Sequence, residues 1–344
     1  MISFSAHPFK DDLKPLTLLR NEEDLFCGIF SIQERWEAGL IHIGLSPSTP
    51  LPTDIIPLHT FWKNANNRSI TETLYDPSFS VRINRNHDFL RLNAQLIHSD
   101  LELIKQSVHF IPVPEHVKIT GPTDQVFIEE GAVLEHVYLN TTNGPIYIGK
   151  QALIMDGTCL RGPIAIRDHS VVKMGAMLYP GTSIGRYCVI GGEVKNSIVY
   201  DYSNKAHEGY LGDSIIGSWC NLGAGTTCSN LKNTGNDVQV WNMHRNAPEP
   251  AGQKAGVIMG DFTRTAIQCS ISCGTVIGVC TNLVPSAVSL PTYIPSFTWF
   301  QQQPERYQLE KALEHIRQWM EFKGCSLSLT LTQQLTSVFN KTQV

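Results

Sequence analysis

The densest polar run of the chain, SNKAHEGYLGDSIIGSWCNLGAGTTCSNL from Ser203 to Leu231, contains a single imidazole, His207. An imidazole titrates near pH 6.5 (about), so it can take a proton from an amine as that amine attacks an acyl group. Two further histidines of the same region, His136 and His169, are far from His207 in sequence and share no motif with it. Three histidines converging on zinc with room for water are therefore not expected. The nine cysteines contain no CxxC pair, and their closest spacing is Cys269 with Cys273. Reduced cysteines and no bound metal follow as expectations.

These groups must be positioned by something regular. From Ile148 to Val194 an aliphatic residue stands at every sixth position: Ile148, Ile154, Leu160, Ile166, Val172, Leu178, Ile184 and Ile190. Helices space apolar residues by 3.6 and half-buried strands by 2, so this period needs another geometry. Four residues after each aliphatic one stands a small or β-branched residue: Ala152, Thr158, Ile164, Ser170, Ala176, Thr182, Cys188 and Val194. Aliphatic side chains that stack inside and small residues that let the backbone turn make a parallel β-helix, three hexads to a triangular turn. Cys188, Cys220 and Cys269 fall at small places, where a thiol acts as a compact hydrophobe.

The repeat breaks after Ile190 for a loop reading GGEVKNSIVYDYSNKAHEG, then resumes at Tyr210, Ile216, Leu222 and Cys228. A second break, an insertion over 229–256, holds Trp241, His244, Pro248 and Pro250. The repeat returns at Met259, Thr265, Ile271, Ile277 and Leu283, with Thr263, Cys269, Thr275 and Thr281 at the small places. Because those threonines are interior, an exposed threonine ladder of the ice-binding kind is not expected. The expected organisation is a reduced α/β domain over 1–120, the β-helix over 121–290 and a C-terminal extension over 291–344. Within the extension, an amphipathic helix over 304–323 with Leu309, Leu313, Ile316 and Met320 caps the coil, and SLTLTQQLTSVFNKT forms a short helix. The class is mainly β.

A net charge of -4 leaves no basic surplus for phosphate backbones, so nucleic acid is not an expected partner. No apolar run approaches the roughly 20 residues of a membrane span, and the start MISFSAHPFKDD lacks a signal pattern, which predicts a cytoplasmic protein.

The polar block resembles the acetyltransferase domain of GlmU-type enzymes, whose pattern approximates KAGHLxYLGDxxIGxxxNIGAGTxxCN. Here it reads KAHEGYLGDSIIGSWCNLGAGTTCSN, with one glycine missing before the histidine. Further phrases, PLTLLRNEEDLFCGIFSIQERWE, VFIEEGA, NGPIYIG, SNLKN and IPSFTW, are similar to those of a divergent bacterial GlmU-like branch whose members are labelled sugar nucleotidyltransferases. The resemblance covers nearly the whole chain. It implies a left-handed coil, a homotrimer with the acyl donor between adjacent coils, and transfer of an acetyl group from acetyl-CoA to an amino-sugar phosphate such as glucosamine-1-phosphate. By the same resemblance His207 is the base, Lys195 faces the sugar phosphate, Tyr210 and Asn221 hold the sugar, and Ala224 and Asn230 contact acetyl-CoA. Backbone amides there would be available to the thioester oxygen.

The departures are specific. Tyr179 replaces a phosphate-gripping arginine on the substrate side, while Asp261 replaces a serine and Gly278 an alanine in the acetyl-CoA environment. At the N-terminus Arg20 is retained, but a Gly-rich phosphate loop followed by Pro-Lys and a pair of metal-binding aspartates are absent. Sugar-1-phosphate nucleotidyl transfer, with magnesium, is the second reading. A non-catalytic trimeric binding or regulatory relic is the third.

Overall fold

The aliphatic residues of the hexads from Ile148 to Ile190 all point inward and are at most 1% exposed. Each stacks on its equivalent a turn away: Ile148 on Ile166 on Ile184, Ile154 on Val172 on Ile190, and Leu160 on Leu178. The small places are equally buried, as the corner geometry requires. The computed structural model describes residues 3–6, 8, 10–43, 50–65, 76–284 and 290–342, and its centre is a parallel β-helix.

Among the described residues three sheets of 10, 10 and 8 strands form its faces, parallel throughout except for one antiparallel edge strand on each of the first two. The first face runs through Ile146–Ile148, Ile164–Ile166 and Thr182–Ile184, the second through Leu153–Ile154, Val171–Val172 and Val189–Ile190. The third runs through Cys159–Arg161, Met177–Leu178 and Glu193–Lys195.

The loop expected after Ile190 is coil instead. Ile184 pairs with Val199, Ile190 with Lys205 and Val194 with Leu211, so strand pairing continues through the segment. Turns there are shorter than three hexads, which destroys the sixfold spacing without breaking the ladder. Leu211, fully buried, takes the interior place expected for Tyr210, which faces outward.

The chain leaves the coil after Thr227–Cys228. It forms an antiparallel hairpin, Val238–Asn242 with Ala247–Gly252, and the coil resumes where Ile258–Met259 pairs with Ile215–Ile216. Val238 and Val240 pack in one cluster with N-terminal residues, and Arg245 pairs with Asp12 at 3.0 Å, so the hairpin lies against the N-terminal segment.

The outward residues of the first face are themselves apolar, and this explains the N-terminal packing. Tyr147, Ala165, Ile198, Ile215 and Ile258 share a buried cluster with helices Ile32–Ile43, His59–Ala65 and Asn86–Ile104. Asn93 donates to the Gly181 carbonyl at 2.7 Å, and Ser183 donates to that of Gly28 at 2.7 Å.

At the other terminus Pro304–Arg306 forms a strand antiparallel to Thr298–Phe300, so the expected helix begins only at Leu309. Helix Leu309–Phe322 buries Ala312, Ile316 and Met320, and helix Leu329–Lys341 follows with Ser328 as its N-cap. Both lie on the corner between the first and second faces. There His169, Tyr187, Tyr202, Trp219 and Phe262 stack turn upon turn, with centroids 4.6, 4.9, 4.2 and 6.3 Å apart. The first helix runs lengthwise along this ladder. Its 14 residues span about 21 Å, close to the height of five strand steps, and Lys323 beyond its end donates to the Tyr187 and Tyr202 carbonyls.

Candidate functional site

The corner between the second and third faces carries His207 and, one turn on, Ala224. Asn204 pairs with Asn221 just before them, and the Gly225 amide donates to the Glu208 carbonyl at 3.1 Å just after. His207 and Ala224 are therefore equivalent positions on consecutive turns, about 4.8 Å apart along the stack. The His207 ring is exposed and makes no hydrogen bond among the described residues. The Ala224 carbonyl accepts from Gln268, but the Ala224 amide has no acceptor among the described residues. An uncommitted imidazole and an uncommitted N–H thus share one corner.

The backbone at His207 is held by a residue that carries no apolar signal in the sequence. Lys205 occupies an interior place of the coil, 2% exposed, and its ammonium donates to the carbonyls of Gly191 at 2.8 Å and His207 at 2.7 Å. Burial lowers its pKa from 10.5 to about 8. Gly209 completes the bend at φ 124°, where a Cβ would stand 2.1 Å from the Thr226 carbonyl oxygen, so only glycine fits.

On the third face Tyr210 and Asn230 meet. The Asn230 amide donates to the Tyr210 hydroxyl at 3.0 Å and to Asp213 at 2.5 Å, while Asn196 donates to the other Asp213 oxygen at 2.6 Å. Burial, reinforced by Asp213 and Glu193, pushes the Tyr210 hydroxyl up to about 12, so it stays protonated as a donor at neutral pH. Asp213 lies in the YLGD run of the matched block, and it is the fold that brings it to Asn230 and Asn196. Lys195 and Tyr179 end neighbouring strands of this face, with the Tyr179 amide donating to Val194 at 2.8 Å.

The remaining sequence candidates lie elsewhere in the chain. Asn221 is on the second face, where its side-chain oxygen accepts from Asn204 at 3.4 Å. Asp261 is at the corner between the first and second faces, 5% exposed, accepting from the Ser218 amide at 2.7 Å and from the Arg20 guanidinium. Gly278 shares that corner, and a Cβ there would stand 2.3 Å from the Ser296 amide nitrogen, so the next turn of coil demands the glycine. Among the described residues no three His, Cys, Asp or Glu side chains converge as a metal site, and no helix is long and apolar enough to cross a membrane.

Stacked hexads with a polar corner and an uncommitted imidazole define a hexapeptide-repeat protein. No family model matches the chain. It is 33% identical over 147 residues to the bifunctional sugar-1-phosphate nucleotidylyltransferase/acetyltransferase of Sulfurisphaera tokodaii, a match covering 42% of this chain and 36% of that protein. It is 34% identical over 197 residues to the bifunctional protein GlmU of Methanocaldococcus jannaschii, covering 57% and 41%. The GlmU of Methanococcus maripaludis matches at 36% over 101 residues, covering 29% and 24%. The chain thus spans less than half the length of these relatives. A solved structure from Bacillus cereus aligns with 65% of this chain and 91% of its own at 12% identity, but its TM-score of 0.18 lends it no weight. In sequence, the matched part of the chain is similar to GlmU-type bifunctional proteins, and its fold is a β-helix of stacked hexads.

Proposed function

We propose that the chain transfers an acetyl group from acetyl-CoA to the amine of an amino-sugar phosphate. The observation that carries the reading is the pairing of His207 with the free Ala224 amide on consecutive turns of one corner. As the amine attacks the thioester carbonyl, the new C–N bond forms and His207 takes the amine's proton. The developing oxyanion is met by the Ala224 N–H, a donor fixed in the backbone and without a competing acceptor among the described residues. The C–S bond then breaks, and the proton passes from His207 to the departing thiolate. Tyr210 and Lys195 hold the acceptor on the third face, and Asn230, expected from the sequence beside acetyl-CoA, is reassigned to the acceptor side because its amide donates to the Tyr210 hydroxyl. A homotrimer fits this arrangement, because Asp261 and Gly278 lie at a different corner of the same chain and, among the described residues, neither end of the chain covers the third face.

The nucleotidyl-transfer reading gains nothing from the site: Arg20, the residue retained at the N-terminus, is committed to Asp261 and lies over the Tyr200 ring. Release of free thiol from acetyl-CoA with glucosamine-1-phosphate, compared between wild type and His207→Ala, tests the proposal. The expected loss is about 10²-fold or more in kcat; equal rates, or no rate from the wild type across amino-sugar phosphates, would sink it.

A further inference from the structure

Below the Tyr210–Asn230 cluster the third face continues into a groove of about 470 Å³, lined by Tyr138, Asn140, Cys159, Arg161, Met177 and Tyr179 among others. That volume is ample for part of a small ligand. Its walls are unusual for an outer sheet surface: Tyr138 is 57% and Met177 40% exposed. Its charge is one-sided, since no carboxylate lines it; Glu193 stands one turn above Met177.

Strand register explains the cation. Leu160 pairs with Leu178 and Leu178 with Val194, so the outward residues that follow, Arg161, Tyr179 and Lys195, fall in one column on three consecutive turns. Arg161 and Lys195 are then two strand spacings apart, about 9.6 Å at their backbones, with only Tyr179 between them. Among the described residues neither cation has a carboxylate within ion-pair distance. Two long, unpaired cations at that spacing can grip neighbouring phosphoryl groups, and a guanidinium does so through paired N–H donors.

The groove does not stop at Arg161. It runs on to Tyr138 and Asn140, one turn further from Tyr210. A terminal phosphate would end at the arginine and leave that part unused. We infer that Arg161 is a specificity-determining residue, and that the acceptor carries its phosphate as an internal diphosphate linkage with a flat or apolar group beyond it, as in a nucleoside-diphosphate amino sugar. The sugar lies at Tyr210 and Asn230, the diphosphate at Lys195 and Arg161, and the distal group against Tyr138 and Met177. This inference rests on the proposed acetyl transfer only for which end of the ligand faces His207.

Calorimetry on the full chain with UDP-glucosamine, glucosamine-1-phosphate and glucosamine tests it, using wild type, Arg161→Ala, Arg161→Lys and Tyr138→Ala. UDP-glucosamine should bind wild type at least about tenfold more tightly than glucosamine-1-phosphate, a gap of about 1.4 kcal/mol. Arg161→Ala should lose most of the diphosphate affinity, Arg161→Lys should restore part, and Tyr138→Ala should weaken UDP-glucosamine alone. Equal wild-type affinity for the two phosphorylated probes, no binding of either, or full affinity in Arg161→Ala would overturn the assignment. Thiol release run alongside separates the two proposals. Binding that depends on Arg161 without any thiol release removes the acetyl transfer and keeps the groove, whereas release that is indifferent to Arg161 does the reverse.

Discussion

Lys205 shows how a single residue ties coil to chemistry. An ammonium inside a stack of aliphatic side chains is costly to desolvate, and here the carbonyls of Gly191 and His207 compensate it in part. Because the folded-state pKa of about 8 lies below the ordinary 10.5, the unfolded chain holds the extra proton between those values. Stability therefore rises with pH across that window, and the full cost of the buried charge applies below pH 8. Lys205→Met removes the titration and strands two carbonyls. Wild type should gain about 2 kcal/mol relative to this variant between pH 7 and pH 9.5, measured by urea unfolding at both values. Parallel stability profiles would show that Lys205 does not titrate in the fold. The same substitution should lower kcat more than it raises KM, because it frees the backbone of His207 and leaves the third face intact.

At the scale of elements, the C-terminal helix Leu309–Phe322 and the aromatic ladder beneath it depend on each other. Ile316, 1% exposed, packs in a cluster with Phe262, Val279 and Phe297. Ile316→Ala should cost about 2–5 kcal/mol, read from denaturant midpoints, and should expose the ladder to quenchers of Trp219 fluorescence. Loss of stability without added quenching would mean that the helix does not shield the ladder. The coil was legible in the sequence because each aliphatic place has one possible neighbour, its equivalent a turn away, so burial writes the period directly. The segment after Ile190 was not legible as coil: shortening a turn keeps Ile190 paired with Lys205 but erases the spacing, and a lysine inside has no apolar signal. The site divided the same way. His207 and Ala224 stand in a matched run, whereas Arg161 stands in none and is joined to Lys195 only by register, which brings together residues distant in the chain.

For the whole molecule, the question is what holds the N-terminal segment on the coil and leaves the third face open. Glu34 of helix Ile32–Ile43 accepts from Arg167 at 2.8 and 2.9 Å and from Arg186 at 2.6 Å, two arginines on consecutive turns of the coil. Burial resists ionisation of this carboxyl, but Arg167, the Ser31 amide and Arg186 outweigh it and hold its pKa at about 2 against an ordinary 4.5. The stabilisation is thus complete above pH 4.5 and is lost as pH falls towards 2, with a ceiling of about 3 kcal/mol. Glu34→Gln keeps the shape and removes the charge, leaving the buried Arg167 and the half-buried Arg186 beside a neutral amide. It should cost about 3 kcal/mol or more at pH 7 and flatten the acid limb of the stability curve between pH 4.5 and 2. At pH 7 helix Ile32–Ile43 should be cut faster by protease, while the coil remains resistant. An acid limb as steep as that of wild type would place the attachment elsewhere, on the apolar outer surface of the first face alone.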